Sequence, residues 1–180
     1  MNYKILESDI LFRGKVFNLR VDKIKYDSGN EGVREIAVHP GGAVVVPVKD
    51  DGKLVMVTQY RYPLEKILLE FPAGKLDFNE EPLVCAVREL QEETGYTAAN
   101  FQKLGSISTT PGFCTEILHI FMATGLTPGE FNREEGEFGM EVKEFYLEEI
   151  EEKIAKGEII DSKTICGLFM ASKILRLRNS

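Results

Sequence analysis

The sequence predicts an α+β fold, a mixed β-sheet flanked by helices with an antiparallel β-meander at its N-terminal end, and three patterns carry that expectation. Extended stretches broken by turn residues run through residues 3–47. A β-branched apolar run at 43–48 is followed by a tight turn and a second such run. Apolar residues then recur at helical spacing after Glu81 and again from Leu147 onward.

In the first stretch Asp27-Ser28-Gly29-Asn30 separates VDKIKY from VREIAVH, which is the turn chemistry of a meander. Asp50-Asp51-Gly52 reverses the chain between 43–48 and 54–59, so a hairpin with two central strands is expected. Tyr62-Pro63 and Phe71-Pro72 punctuate a short connection. A helix is expected from Glu81-Pro82, where proline suits the first turn, to Gly95. Leu83, Ala86, Val87 and Leu90 fall at i, i+3, i+4 and i+7 and should form its sheet-facing side. Strands follow around 104–108, 117–123 and 140–145. The rest reads as helical, with Leu147, Ile150 and Ile154 in one helix, a break at Gly157, and a last helix from about Ser162 to Leu177. The apolar residues of that helix, Ile165, Leu168, Phe169, Ile174 and Leu175, suit packing within the subunit or against a second copy.

A chain of 180 residues, 43% hydrophobic and 28% charged, has the composition of an ordinary folded domain rather than of a disordered chain. No apolar stretch reaches the length of a membrane helix, and the N-terminal MNYKILESDI lacks the layout of a signal peptide. No membrane partner and a cytoplasmic location are therefore expected. Cys85, Cys114 and Cys166 are too widely and unevenly spaced for a metal pair or a disulfide framework and read as core thiols in a reducing compartment. A net charge of −7 without a basic stripe argues against nucleic acid. An acidic chain can still bind a phosphorylated small molecule if divalent cations bridge its carboxylates to phosphate oxygens.

The predicted helix after Glu81 carries such carboxylates. Glu89 and Glu93 are four residues apart and Glu92 is three from Glu89, so all three should project from the face opposite Leu83, Val87 and Leu90. Like charges at these spacings destabilise an isolated helix by roughly 0.2–0.5 kcal/mol per pair, and acids in the last turns also oppose the helix dipole. A divalent cation would relieve both penalties. A solvated acidic face is the alternative for Glu-Leu-x-Glu-Glu taken alone.

The wider context favours the metal. Gly74, five residues, Glu80, seven residues, then Arg88-Glu89-Leu90-Gln91-Glu92-Glu93-Thr94-Gly95-Tyr96 resembles the Nudix hydrolase signature at each fixed letter, with Tyr96 in place of the usual aliphatic. At a usage of about 7% per common residue, seven spaced identities arise by chance on the order of 10⁻⁸ times per starting position. The resemblance implies a Nudix-like mixed β-sheet sandwiched between helices. It implies Mg²⁺, with Mn²⁺ as a substitute, held by Glu89, Glu92, Glu93 and the backbone carbonyl of Ala73. Arg88 would orient the glutamates through charge-assisted hydrogen bonds, while Glu80 supports loop and helix rather than chemistry.

Features outside the signature resemble the ADP-ribose pyrophosphatase subfamily over nearly the whole chain. Pro111, in Thr110-Pro111-Gly112-Phe113, stands sixteen residues after Gly95, the marker spacing of that subgroup, and Glu116 follows. Val33-Arg34-Glu35-Ile36, Gln59-Tyr60-Arg61-Tyr62-Pro63 and Leu69-Glu70-Phe71-Pro72-Ala73-Gly74 match its strand and loop blocks. Carried over, Arg34, Arg61, Glu70 and Glu116 bind substrate, the arginines through phosphate or ribose oxygens. The resemblance also implies a water-activating acid on the loop Arg133-Glu134-Glu135-Gly136-Glu137-Phe138, Glu137 being preferred and Glu135 left open because the segment after it is one residue longer than the usual pattern. The implied reaction is hydrolysis of ADP-ribose to AMP and ribose 5-phosphate. The alternatives are another nucleoside diphosphate sugar such as GDP-mannose, or a non-catalytic nucleotide-sensing module. Residues 1–45 are expected to form the β-meander and a homodimer contact, and 46–180 the hydrolase domain, folding as one cooperative unit.

Overall fold

The computed structural model describes residues 2–131 and 139–178, the side chain of Arg178 excepted. The chain divides into two compact units, Met1–Gly41 with Ser108–Ile117, and Gly42–Ile107 with Leu118–Ser180.

The first unit is the meander. Strands β1 (Tyr3–Arg13), β2 (Asn18–Tyr26) and β3 (Glu31–Val38) pair antiparallel in the order β1-β2-β3. Asp27 to Asn30 closes the second turn as expected, with Tyr26 N–H donating to the Asn30 carbonyl at 2.9 Å. Thr110-Pro111-Gly112-Phe113 forms a turn of its own, the Phe113 N–H reaching the Thr110 carbonyl at 3.1 Å. The next residue, Cys114, then makes a parallel bridge to Ala37 at the end of β3.

In the second unit β4 (Gly42–Val48), β5 (Leu54–Arg61), β8 (Tyr96–Ser108), β9 (Ile117–Pro128) and β10 (Val142–Phe145) make a sheet in the order β10-β5-β4-β9-β8. Two short strands join it: β6 (Lys66–Glu70) on β5 and β7 (Ala73–Lys75) on β4. The β4–β9 pair is parallel whereas β10–β5, β4–β5, β4–β7 and β5–β6 are antiparallel, so the sheet is mixed. The expected hairpin survives only at its turn. Val48 faces Leu54, but further along β4 takes β7 (Val44 opposite Ala73) and β5 takes β6 (Val57 opposite Glu70). The two central strands splay, and residues 66–70, expected to be connection, are a strand.

Helix α1 (Pro82–Thr94) covers one face of the sheet, and α2 (Leu147–Ala155) with α3 (Ser162–Arg178) covers the other. The alternation of β4 divides its side chains accordingly. Ala43 and Val45 pack with Cys85, Ala86 and Leu90 of α1. Val44, Val46 and Val48 pack with Leu147 and Ile150 of α2 and Leu168, Ala171 and Leu175 of α3. The last helix therefore buries its apolar side within the subunit, although Phe169 points away from it and is exposed. Cys85 lies in the core, while Cys114 and Cys166 are only half-buried.

The expected facing of α1 is corrected. Leu83 and Val87 are 46% and 45% exposed, whereas Glu89 and Glu93 are only 5% and 2% exposed. The buried stripe is Cys85, Ala86, Glu89, Leu90, Glu93 and Thr94, turned about a sixth of a revolution from the aliphatic one. Small side chains at 85 and 86 permit close approach to β4, and two of the carboxylates turn inward because polar partners await them there.

Candidate active site

Local chemistry sets the ends of α1. Glu81 is the extended N-cap and Pro82, which has no N–H to leave unsatisfied, begins the first turn. Gly95 ends the helix at φ 73° in the left-handed region, its N–H bonding the Gln91 carbonyl at 2.9 Å. The helix is thereby registered against β7. At Gly74 of β7 an added Cβ would lie 1.7 Å from Glu89 Oε1 and 2.0 Å from its Cδ. The missing side chain is the space the Glu89 carboxylate occupies.

Arg88 locks the acids together. Its Nη1 donates to Glu89 Oε1 at 2.6 Å and to Glu92 Oε2 at 2.9 Å, while Nε and Nη2 each reach Glu80 at 3.0 Å and Nη2 also reaches the Lys75 carbonyl at 3.2 Å. The hydrogen bond to Glu80, with further help from Glu89 and Glu92, raises the guanidinium pKa above its ordinary value. The same bond holds the Glu80 carboxyl below the usual carboxylate range. Glu80 also accepts from the Asp77 N–H at 2.9 Å, which makes it the brace between loop and helix that the resemblance implied. Glu93 accepts from the Ala73 N–H at 3.1 Å. A buried carboxylate without such donors would be strongly unfavourable.

Ala73, Gly74, Arg88, Glu89, Glu92 and Glu93 line one cleft of about 510 Å³, and Gln59, Arg61, Lys75 and Asp77 complete it. Arg61 lies at the end of β5. Its Nε and Nη2 grip Glu70 at 2.8 and 2.5 Å, a bidentate pair that raises the Arg61 pKa. Burial works against the charge on Glu70, yet Arg61 and Lys163 outweigh it and keep its carboxyl below the usual range. Glu70 is 1% exposed. It reaches the cleft through Arg61 rather than as a lining residue.

The donor set suits a hard divalent cation. Glu89, Glu92 and Glu93 offer carboxylate oxygens in one cleft, and Gly74 leaves room for one of them. Among the described residues no three His, Cys, Asp or Glu side chains close into a ready cage. Arg88 stands between Glu89 and Glu92, so metal entry requires those carboxylates to turn part of their lone pairs toward the cleft.

The remaining expected residues are Arg34 and Glu116, both in the first unit, and Glu135 and Glu137. In the first unit Arg34 donates to the Val33 carbonyl at 2.8 Å and stacks over Tyr26 at 5.8 Å. Glu116 lies 3.3 Å from His39 Nδ1. Glu135 and Glu137 lie outside the described residues. Residues overlooked from sequence are Gln59, Lys75, Asp77 and Lys163. Gln59 stands inside a recognised block and Lys75 adjoins one, but Lys163 in a first helical turn reads as an ordinary surface lysine.

The NUDIX domain family matches residues 38–166. An ADP-ribose pyrophosphatase of Bacillus subtilis (strain 168) is 44% identical over 89% of this chain and 88% of its own. A methanol dehydrogenase activator of Bacillus methanolicus is 42% identical over 92% and 90%. A crystal structure of an ADP compounds hydrolase superposes with a TM-score of 0.87 over 99% of this chain and 96% of the other, and at 21% identity it speaks for the fold. With the glycine, the arginine clasp and the inward glutamates of α1 in place, the chain belongs to the NUDIX family of hydrolases.

Proposed function

We propose that the protein hydrolyses ADP-ribose to AMP and ribose 5-phosphate in the cleft between β7 and α1, using Mg²⁺, for which Mn²⁺ substitutes. One observation carries the reading: Glu89, Glu92 and Glu93 share a cleft with Arg61, so cation-binding oxygens and an anion-binding guanidinium converge in one place. The relative named an ADP-ribose pyrophosphatase, alike over about nine-tenths of both chains, supplies the choice of substrate.

The three glutamates and the Ala73 carbonyl would hold the cation, which would supply charge neutralisation at the diphosphate and a more acidic water. Arg88 keeps the glutamates in register, which is positioning rather than proton transfer. Arg61, its orientation set by Glu70, donates to phosphate oxygens. Glu137, or Glu135, takes the proton of the attacking water. The family resemblance offers Arg34 and Glu116 as further substrate contacts. A cytoplasmic homodimer fits the free thiols and the apolar residues exposed along β1, among them Ile5, Leu11 and Phe12.

Turnover of ADP-ribose, GDP-mannose, diadenosine polyphosphates and NADH with Mg²⁺ and with EDTA tests the reading. The expected result is the highest kcat/KM on ADP-ribose, abolished by EDTA. Preference for GDP-mannose would overturn the substrate, and inactivity on every compound would overturn the hydrolysis.

A further inference from the structure

Behind Glu70 lies a buried lysine to which the proposed reaction gives no role. Lys163, in the first turn of α3, is 8% exposed, and lysine is seldom buried unless paired. Its Nζ bonds Glu70 Oε2 and lies 3.0 Å from Asp161 Oδ2. A cation at a helix N-terminus opposes the helix dipole, so α3 itself gains nothing from a lysine there.

The surroundings hold this lysine in place. Asp161 Oδ2 accepts from the Thr164 N–H at 3.0 Å and from its Oγ1 at 2.6 Å. Thr164 Oγ1 accepts from the Phe71 N–H at 2.9 Å. The start of α3 is thus fastened to the chain just after Glu70, and two residues beyond Phe71 the Ala73 N–H meets Glu93. Glu70 faces Arg61 from β5 and Lys163 from α3. Either cation alone would have to offset its burial, which is the largest single influence on that carboxyl.

We propose that Lys163 is a positioning residue of the active site: it holds the buried Glu70 carboxylate from α3, so that Glu70 presents Arg61 to the substrate diphosphate in a fixed orientation. This rests on the reading of Arg61 as a diphosphate contact. Two of the guanidinium nitrogens, Nε and Nη2, are engaged by Glu70, which leaves Nη1 directed away from that pair. Without Lys163, Glu70 has one cation left and either takes up a proton or draws Arg61 inward. Both responses change how Nη1 of Arg61 meets the phosphates while leaving Glu89, Glu92 and Glu93 in place.

The test is a double-mutant cycle in the full chain, measuring kcat and KM for ADP-ribose at saturating Mg²⁺ for wild type, Lys163→Met, Arg61→Ala and the double variant, with thermal melts beside them. Contacts felt equally in ground and transition states appear in KM. Lys163→Met should raise KM about tenfold with kcat within about twofold, and the double variant should be no worse than Arg61→Ala, since coupled neighbours are not additive. Where Lys163→Met does not fold, Lys163→Gln, which keeps a donor for Glu70 without the charge, is read in the same way. If KM is unmoved by the Lys163 change, or the two penalties multiply in the double variant, Lys163 does not act through Arg61. If Arg61→Ala itself leaves KM unchanged, the diphosphate contact fails and this proposal with it.

Discussion

Gly74→Ala is the smallest change that should disable the site without touching a functional group. Gly74 has no positive φ, so alanine accepts its backbone and any effect comes from one methyl group. That methyl carbon would lie 1.7 Å from Glu89 Oε1 and 2.5 Å from Oε2, against an ordinary contact of roughly 3.5 Å. The carboxylate must therefore retreat by about 1.5 Å or more. Its way back is obstructed, because Glu89 is buried and its Oε1 is held by Arg88 at 2.6 Å. Overpacking of this kind destabilises by about 1–3 kcal/mol, which a folded domain of this size tolerates. A misplacement of about 1 Å at reacting groups lowers a rate on the order of 100-fold. We expect ADP-ribose turnover to fall at least that far, with the Mg²⁺ titration shifted to higher concentration and a far-UV spectrum like that of wild type. Wild-type kcat with an unchanged Mg²⁺ titration would show that the Glu89 carboxylate need not lie against β7, and the ligand geometry argued for α1 would fail.

Arg88→Lys keeps the charge but not the fork that reaches Glu80, Glu89 and Glu92 together. Its kcat should drop by about two orders of magnitude while KM changes little, and a loss confined to KM would contradict the positioning role. The pH dependence of stability follows from Glu70, whose folded carboxyl sits below the 4.5 of the free group. Its contribution is complete above that value and is lost as the pH falls through the folded one. The difference in Tm between wild type and Glu70→Gln should accordingly be widest near neutrality and narrow in acid, and a gap independent of pH would contradict the buried ion pairs.

How much of this was legible beforehand depends on how local the cause is. Pro82 and Gly95 bound α1 where the sequence places them, because each acts on its own backbone. The β-branched run of β4 reads correctly as a buried central strand for the same reason. The rotation of α1 does not follow from its aliphatic pattern. Leu83 and Val87 form the stripe a periodicity search finds, but Ala73 and Arg88 give Glu93 and Glu89 partners that make the carboxylate side the buried one. Strand β6 escaped notice because prolines flank it and its pairing is with β5. Lys163 and Glu70 are ninety-three residues apart, and no local pattern announces that they meet.

The central claim is that α1 presents inward carboxylates that bind the cation on which hydrolysis depends. Glu93→Gln tests it most directly, since the amide preserves the shape of a side chain that is almost fully buried and keeps an oxygen for the Ala73 N–H. ADP-ribose turnover should fall by several orders of magnitude at every Mg²⁺ concentration while the thermal melt stays close to that of wild type. Wild-type turnover in that variant would contradict the account.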